Sequence, residues 1–550
     1  MAKRTPKRPM VGVLLISTLW LFASAAGAQS PRALENGQVP LMTTPREKRV
    51  AIIGGGAGGA SAAYYLRKYA DETGIKPSIT VYERSGYLGG RSTTVNVFDN
   101  ASEPVELGAS IFVEVNRNLV SAAKEFGLTM DDADKSRPED VPERLGVWDG
   151  QDFVFTQPDG GYWWWDLARL LWKYGWTPIR THNLMKSTIG TFLKMYEEPY
   201  FPFRSLSQVA YDLGLTNITS ETGEKFLEAN NIRPPFSTDI IQASTRVNYA
   251  QNLPFIHGLE TMVCMATDGA MSVRGGNWQI FDGMIKAAGA TVKLNTTVQQ
   301  IRKTDFGTYV LSSKGKAPSL SPTVQEHEYD VVVLAAPLQD ASITLTPRPA
   351  YVPAKIPYVK LHVTLLTSPH RLSPAAFNLP SDAAVPSVVL TTLGPDETPR
   401  EREEGVGRAG FFSISTLRHV VNPSSNGDEY LYKIFSPARI TGADLARFLG
   451  FSSSGGNDDD DDDAVDDDVT WIYRHVWRSY PYLYPRVTFD DPLLDNEGLW
   501  YTSGIESFIS AMETSSLMGM NVARLVVDDW KKEVCNNNEE EEKVVVKAKL

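Results

Sequence analysis

Apolar residues in this chain gather into short runs that end at turns of small residues. Residues 50–53 run into Gly54-Gly55-Gly56-Ala57-Gly58-Gly59, and a small-residue stretch with helical spacing follows. Residues 78–82 form a second β-rich run ending at Glu83. Residues 329–334 lack polar alternation and stop at Ala335-Ala336-Pro337, which predicts a strand buried on both faces, as in a parallel sheet. Near the other end, residues 499–501 pass through Thr502-Ser503-Gly504-Ile505-Glu506 into a helical stretch over 511–526. Between these pieces the pattern changes. Residues 116–269 are helical in patterning and hold the aromatic cluster Tyr162, Trp163, Trp164 and Trp165, while 346–483 contain shorter strand-like runs at 359–366 and 411–414. No internal repeat is evident. The prediction is an α/β fold: a doubly wound, Rossmann-like domain drawn from 47–115, 270–345 and 484–530. A mixed α+β substrate domain is inserted at 116–269 and 346–483.

The first glycine turn sets the candidate chemistry. Gly54 permits a tight strand-to-helix turn, Gly56 lets the backbone approach a pyrophosphate, and Gly59 lets helix pack on strand. The helix N-terminus adds unpaired N–H groups and positive potential, and the Glu83 carboxylate is spaced to accept from ribose hydroxyls. A second glycine turn follows, Tyr87-Leu88-Gly89-Gly90-Arg91-Ser92-Thr93-Thr94, with Arg91 suited to phosphate, and then Glu106-Leu107-Gly108-Ala109-Ser110. A soluble nicotinamide dehydrogenase has no evident need of it.

At these residues the chain resembles the FAD-containing amine-oxidase superfamily. Within it, Gly90-Arg91-Ser92-Thr93-Thr94-Val95-Asn96, the run from Glu106 to Val113, Val273-Arg274-Gly275-Gly276-Asn277, Trp477-Arg478-Ser479-Tyr480-Pro481 and the run from Gly504 to Glu513 resemble the prenylcysteine oxidase (prenylcysteine lyase) family. The resemblance implies FAD. It puts Gly90, Arg91, Gly108, Ala109 and Ser110 near the flavin, and Val298 of Leu294-Asn295-Thr296-Thr297-Val298 at the adenine end through its backbone. Glu506 and Met512 fall at the start of the last helix, whose N-terminal amides would face the reducible end of the ring. It also implies oxidation of S-farnesyl- or S-geranylgeranyl-cysteine with O2 as final acceptor. This chain departs from the family in its aspartate-rich insertion, its two cysteines, and Val273-Arg274 where an acidic residue would precede Gly275. For acid–base work the candidates are His257, in a Phe-Ile-His-Gly-Leu turn, and Asn277 as an orienting group. A structural role for His257 competes with the catalytic one, and Glu513 is a candidate cap for the last helix. A flavin amine oxidase and a non-enzymatic prenyl-binding carrier of the same fold remain the alternatives.

Composition bears on compartment and partners. Lys3, Arg4, Lys7 and Arg8 precede an apolar stretch over 11–26 ending in Ala26-Gly27-Ala28, the pattern of a removable secretory signal at 1–28. No later segment reads as a transmembrane anchor, leaving peripheral membrane contact at most. Asn100, Asn217 and Asn295 head glycosylation triplets, the third inside a strand expected near the cofactor. The expected destination is the secretory pathway, either a vacuole- or lysosome-like compartment or the exterior. Cys264 and Cys535 are the only cysteines, too few for a metal cluster or a disulfide scaffold, and both are expected to be free. The formal charge of −12 comes mostly from acidic blocks at 458–463, 466–468 and 539–542, so the core is nearly balanced. The first two blocks belong to a solvated loop over 452–468, with calcium binding a weak alternative, and 531–550 read as a polar tail frayed after Cys535. No basic patch interleaved with aromatics points to nucleic acid. Oligomeric state is not written in these patterns.

Overall fold

The computed structural model describes residues 47–132, 145–157, 170–316, 324–452 and 467–548. The signal-like segment, the aromatic cluster at 162–165 and most of the acidic loop lie outside them.

A five-stranded parallel sheet positions the site. Its strands are β1 (Lys48–Ile53), β2 (Pro77–Tyr82), β3 (Thr291–Lys293), β4 (Val331–Leu334) and β5 (Leu499–Tyr501), in the order β5-β4-β1-β2-β3. β1 is central, pairing with β2 from Lys48↔Pro77 to Ile53↔Tyr82 and with β4 from Val50↔Val331 to Ile53↔Leu334. Both faces of β1 are covered. Val50 and Ile52 pack against the helices α1 (Ala57–Asp71) and, at the C-terminus, α3 (Met512–Ala548). Ala51 and Ile53 pack against an antiparallel sheet of the strands Thr296–Lys303, Tyr309–Gly315 and Val324–Tyr329, with Thr344–Thr346 added in parallel. Two-sided burial is why these strands are apolar without alternation.

The second lobe is a seven-stranded sheet. Trp471–Pro481, Tyr358–Ser368, Asp428–Ser436, Ser413–Val421 and Val388–Thr391 are followed by Leu145–Trp148 and Phe153–Thr156. Leu145–Trp148 pairs in parallel with Val388–Thr391, so the segment read as a helical insert also supplies two strands to this sheet. Its helices, among them Thr177–Phe192 and α2 (Gly258–Cys264), form a separate core with Ile232, Ile241 and Leu253. The C-terminal helix also differs from expectation, because α3 continues to Ala548 and takes in the predicted tail. Glu- and Lys-rich sequence has good helix propensity and needs no burial to stay helical once a packed helix precedes it. Among the described residues no helix is long and apolar enough to cross a membrane.

Candidate flavin site

The two glycine turns meet at the C-terminal end of β1. Gly54 turns with φ +108° and its N–H donates to Tyr82 O at 2.8 Å, closing the turn onto β2. A methyl group on Gly54 would lie 2.6 Å from Ala335 O, and one on Gly59 would lie 1.9 Å from Gly54 O. Those glycines are demanded by packing. Gly56 is different: it is the N-cap of α1, offers no side chain to the helix amides, and a Cβ there would meet nothing closer than 3.7 Å. The first-turn N–H groups of α1 therefore have no side-chain cap, the geometry of an anion site. The second turn closes the other side, with Gly89 N–H donating to Gly55 O at 2.9 Å and Gly89 and Gly90 at φ +108° and +62°.

Glu83 ends β2, is buried, and accepts from Gly55 N–H at 2.9 Å and Ser85 N–H at 2.8 Å. It braces the first turn with the carboxylate that the sequence assigns to ribose. Thr296 N–H donates to Glu83 O, which draws the start of the strand Thr296–Lys303, and the buried Val298, toward the end of β2.

Arg91 is less free than a phosphate-binding arginine. It donates to Ser479 O, and its guanidinium pairs with the buried Glu506 carboxylate at 2.8 Å. Burial pulls the Arg91 pKa down, and the Glu506 charge and hydrogen bond, with Tyr358 and Asp340, together raise it above its ordinary value. The pair fastens the second turn to the turn after β5. Tyr358 adds a hydroxyl donated to Glu506 at 3.2 Å.

The segment from Glu106 to Ser110 is held from several sides. Ala109 N–H donates to Arg91 O, and a methyl on Gly108 would lie 2.0 Å from that same oxygen. Asn277, fully buried, donates from Nδ2 to Ala109 O at 3.0 Å, accepts from Val273 N–H at 2.8 Å, and donates its N–H to Glu106 Oε1. It is a clamp on this segment. Lys433, inside the apolar run Tyr430-Leu431-Tyr432-Lys433-Ile434-Phe435, reaches across from the second lobe and donates to Glu106 O and Ser110 Oγ, both at 2.8 Å. Glu106 Oε2 is buried without a partner. Burial pushes the Glu106 pKa up to about 7, against the Asn277 N–H and Lys433, and lowers Lys433 to about 8.

At the start of α3, Met512 follows Ala511, whose N–H donates to Thr514 Oγ1, and Tyr249 donates to Ser510 O at 3.0 Å. Glu513 does not cap its own helix. Its carboxylate accepts from Asn118 N–H, Leu119 N–H and Tyr196, so it caps the helix Arg117–Glu125. The corrected role follows from direction, since only an acceptor on a neighbouring element reaches another helix's first-turn amides.

His257 is not part of this cradle. It is the N-cap of α2, accepting from Glu260 N–H at Nδ1 (3.1 Å), with no exposed surface. Burial lowers its pKa to about 3, so the acid–base candidate is a helix cap held neutral near neutral pH. One turn on, Glu260 is fully buried beside Tyr249 and the Ser510 backbone, and burial pushes its pKa up to about 8 against their hydrogen-bonding influence. The sequence reading missed Lys433 and Glu260. For Lys433 the available signal was a lone cation in an apolar strand.

Residues 52–126 match the NAD(P)-binding Rossmann-like domain, and residues 158–539 match the prenylcysteine lyase model. Putrescine oxidase bound to putrescine superposes with TM-score 0.52 at 14% identity, covering 88% of this chain and 99% of that one. Cyclohexylamine oxidase from Brevibacterium oxydans IH-35A gives 0.52 and 14%, covering 88% and 100%. Fold and glycine turns thus define a Rossmann-like dinucleotide-binding protein with a second, seven-stranded lobe. Among curated proteins, farnesylcysteine lyase of Arabidopsis thaliana is 28% identical over 492 residues, 87% of this chain and 88% of that protein. Prenylcysteine oxidase 1 of Homo sapiens is 25% identical over 530 residues, 93% of each. The chain belongs to the prenylcysteine lyase family.

Proposed function

We propose that this protein is an FAD-dependent thioether oxidase that cleaves S-farnesyl- or S-geranylgeranyl-cysteine. In the overall reaction the thioether, O2 and water give free cysteine, the prenyl aldehyde and hydrogen peroxide. The allylic carbon beside sulfur is a good hydride source, because the sulfur lone pair and the adjacent double bond both stabilise the cation left behind. Water adds to that cation, and the hemithioacetal collapses to aldehyde and thiol. FAD, when bound, would supply the two-electron acceptor, with O2 as the final oxidant.

The protein's share is to bind, orient and exclude water. Gly54, Gly56, Gly59 and the first amides of α1 fit the pyrophosphate, with Glu83 and Val298 toward the nucleoside end. Gly90, Arg91, Gly108, Ala109, Ser110, Glu506 and Met512 belong to the segments that would hold the ring. The observation that carries the reading is the uncapped N-terminus of α1 at Gly56, where only the backbone of the second glycine turn comes near, in a chain whose residues 158–539 match the prenylcysteine lyase family. No acid–base side chain is required by this chemistry. The same reading extends to a secretory route through 1–28, with a vacuole- or lysosome-like or extracellular destination. It is supported by the exposure of Asn100, Asn217 and Asn295, the last in a turn before its strand.

Anaerobic mixing of the FAD-loaded protein with S-farnesylcysteine tests the reading. Flavin absorption at about 450 nm bleaches and returns on admitting air, with farnesal as product. Bleaching by putrescine alone, or a protein that takes up no FAD, defeats it.

A further inference from the structure

A cavity of about 350 Å³ opens between the loop after β4 and the turn after β5, whose Ala335 and Thr502 pack on the first glycine turn. None of the residues assigned to the dinucleotide above lines it. Leu338, Ile343, Leu345, Val352, Ile356 and Tyr358 make its wall apolar, while Arg348 and Lys355 stand exposed at its rim. Neither cation has a hydrogen-bond or ion-pair partner among the described residues. The acid and amide side chains of the wall have partners. Asp490 is buried and accepts from Tyr351, and Gln339 both donates to Ile356 O and accepts from Ile356 N–H. The uncommitted charge at this cavity is positive. Its floor reaches the flavin-side turn, since Ser503 and Ser507 line it and Tyr358 donates to Glu506.

We propose that this cavity binds an amphiphile with an apolar chain of isoprenoid size and one carboxylate head, the chain on the apolar wall and the head on Arg348 and Lys355. At the small end of ligand sites, which run from about 300 to 1,000 Å³, it has room for one such chain and not for a dinucleotide. Apolar walls favour the chain through area removed from water, and paired cations select a carboxylate over an alcohol. The carboxylate on this wall, Asp490, is buried and already accepts from Tyr351, while both cations are exposed at the rim, so the sign of the head follows from the charges a ligand can reach. Only the chain length rests on the prenylcysteine reading.

The test uses the full-length FAD-loaded protein and farnesoic acid, which has the chain and carboxylate but no thioether, so its binding is independent of turnover. Calorimetry should show saturable binding, with farnesol at least about tenfold weaker. The double variant Arg348→Ala, Lys355→Ala should weaken the acid by about tenfold or more and farnesol by less than about threefold. A diazirine analogue of the acid should label residues 337–358 and 501–507. Displacement by S-farnesylcysteine assigns the cavity to the substrate, and lack of displacement assigns it to a separate free acid; either outcome keeps the site. Absence of saturable binding, label confined to other segments, or equal losses for acid and alcohol in the double variant overturns it. If the acid binds while S-farnesylcysteine leaves the flavin oxidised, the catalytic reading falls and the cavity assignment stands.

Discussion

Gly56 and Gly59 occupy one turn, yet a methyl group added to each meets different neighbours. At Gly59 it lies 1.9 Å from the Gly54 carbonyl, so Gly59→Ala must push helix from strand and should cost about 3 kcal/mol. At Gly56 the nearest atom is 3.7 Å away, so Gly56→Ala should leave apoprotein stability within about 0.5 kcal/mol while weakening FAD retention by about tenfold or more. Thermal melts of apoprotein and flavin fluorescence separate the two, and parallel losses in both variants contradict the assignment. The buried His257 and Glu260 make a second residue-level prediction, about pH. His257 falls from 6.5 to about 3 on folding, so its contribution is present above 6.5 and is lost as pH falls toward 3. Glu260 rises from 4.5 to about 8, so its contribution is present below 4.5 and is lost as pH climbs toward 8. Their slopes cancel between 4.5 and 6.5, leaving a mildly acidic plateau with a falling limb on each side. Melting temperatures across pH should show Glu260→Gln flattening the alkaline limb and His257→Asn, which keeps a capping acceptor, flattening the acid one.

Between elements, the contact to test is the ion pair that ties the second glycine turn to the turn after β5. Glu506 is 4% exposed and Arg91 35%, so loss of the arginine strands a buried carboxylate while the reverse loss leaves a cation with some access to water. Arg91→Met should therefore cost about 2 kcal/mol, below the 3–5 kcal/mol of a fully buried pair, and Glu506→Gln less. The double variant should recover part of the sum, a coupling that urea titration of all four proteins measures. Additive losses would mean that the two turns are held by something else. Elements of this kind were legible where their pattern is local. The run before Gly54 and the apolar, non-alternating run before Ala335 read as parallel strands because both faces of each are covered. The pairing of Leu145–Trp148 with Val388–Thr391 was not legible, since a short strand joined to a partner more than two hundred residues away leaves no periodicity in either segment. Glu513 shows the same limit at a helix end: its local sequence fits a cap of its own helix, and only tertiary approach gives its carboxylate to Asn118 and Leu119.

Across the whole molecule, two cations from neighbouring strands of the second lobe grip the short strand Pro104–Glu106, whose Val105 packs with Val359, Leu361 and Leu431 in that lobe's core although the sequence pattern places it in the nucleotide domain. Arg418 donates to Glu103 and to Pro104 O, both at 3.0 Å, and Lys433 donates to Glu106 O and Ser110 Oγ. The Lys433 contact is the more consequential, because it leads to a segment that would border the flavin and to a carboxyl with one oxygen unpartnered. Burial alone would keep Glu106 protonated well past neutrality; the Asn277 N–H and the Lys433 charge bring it back to about 7. With Lys433 itself lowered to about 8, the two groups titrate as a pair, and the rate of flavin reduction by S-farnesylcysteine should inflect between those values. Lys433→Met removes the opposing charge, so the inflection should move to higher pH, together with a loss of about 2 kcal/mol from the two acceptors left unpaired. Glu106→Gln keeps the shape and removes the titration, so the inflection should vanish while the fold persists. Stopped-flow reduction across pH reads both shifts, and a Glu106→Gln profile identical to the wild type would confine the pair to a structural role.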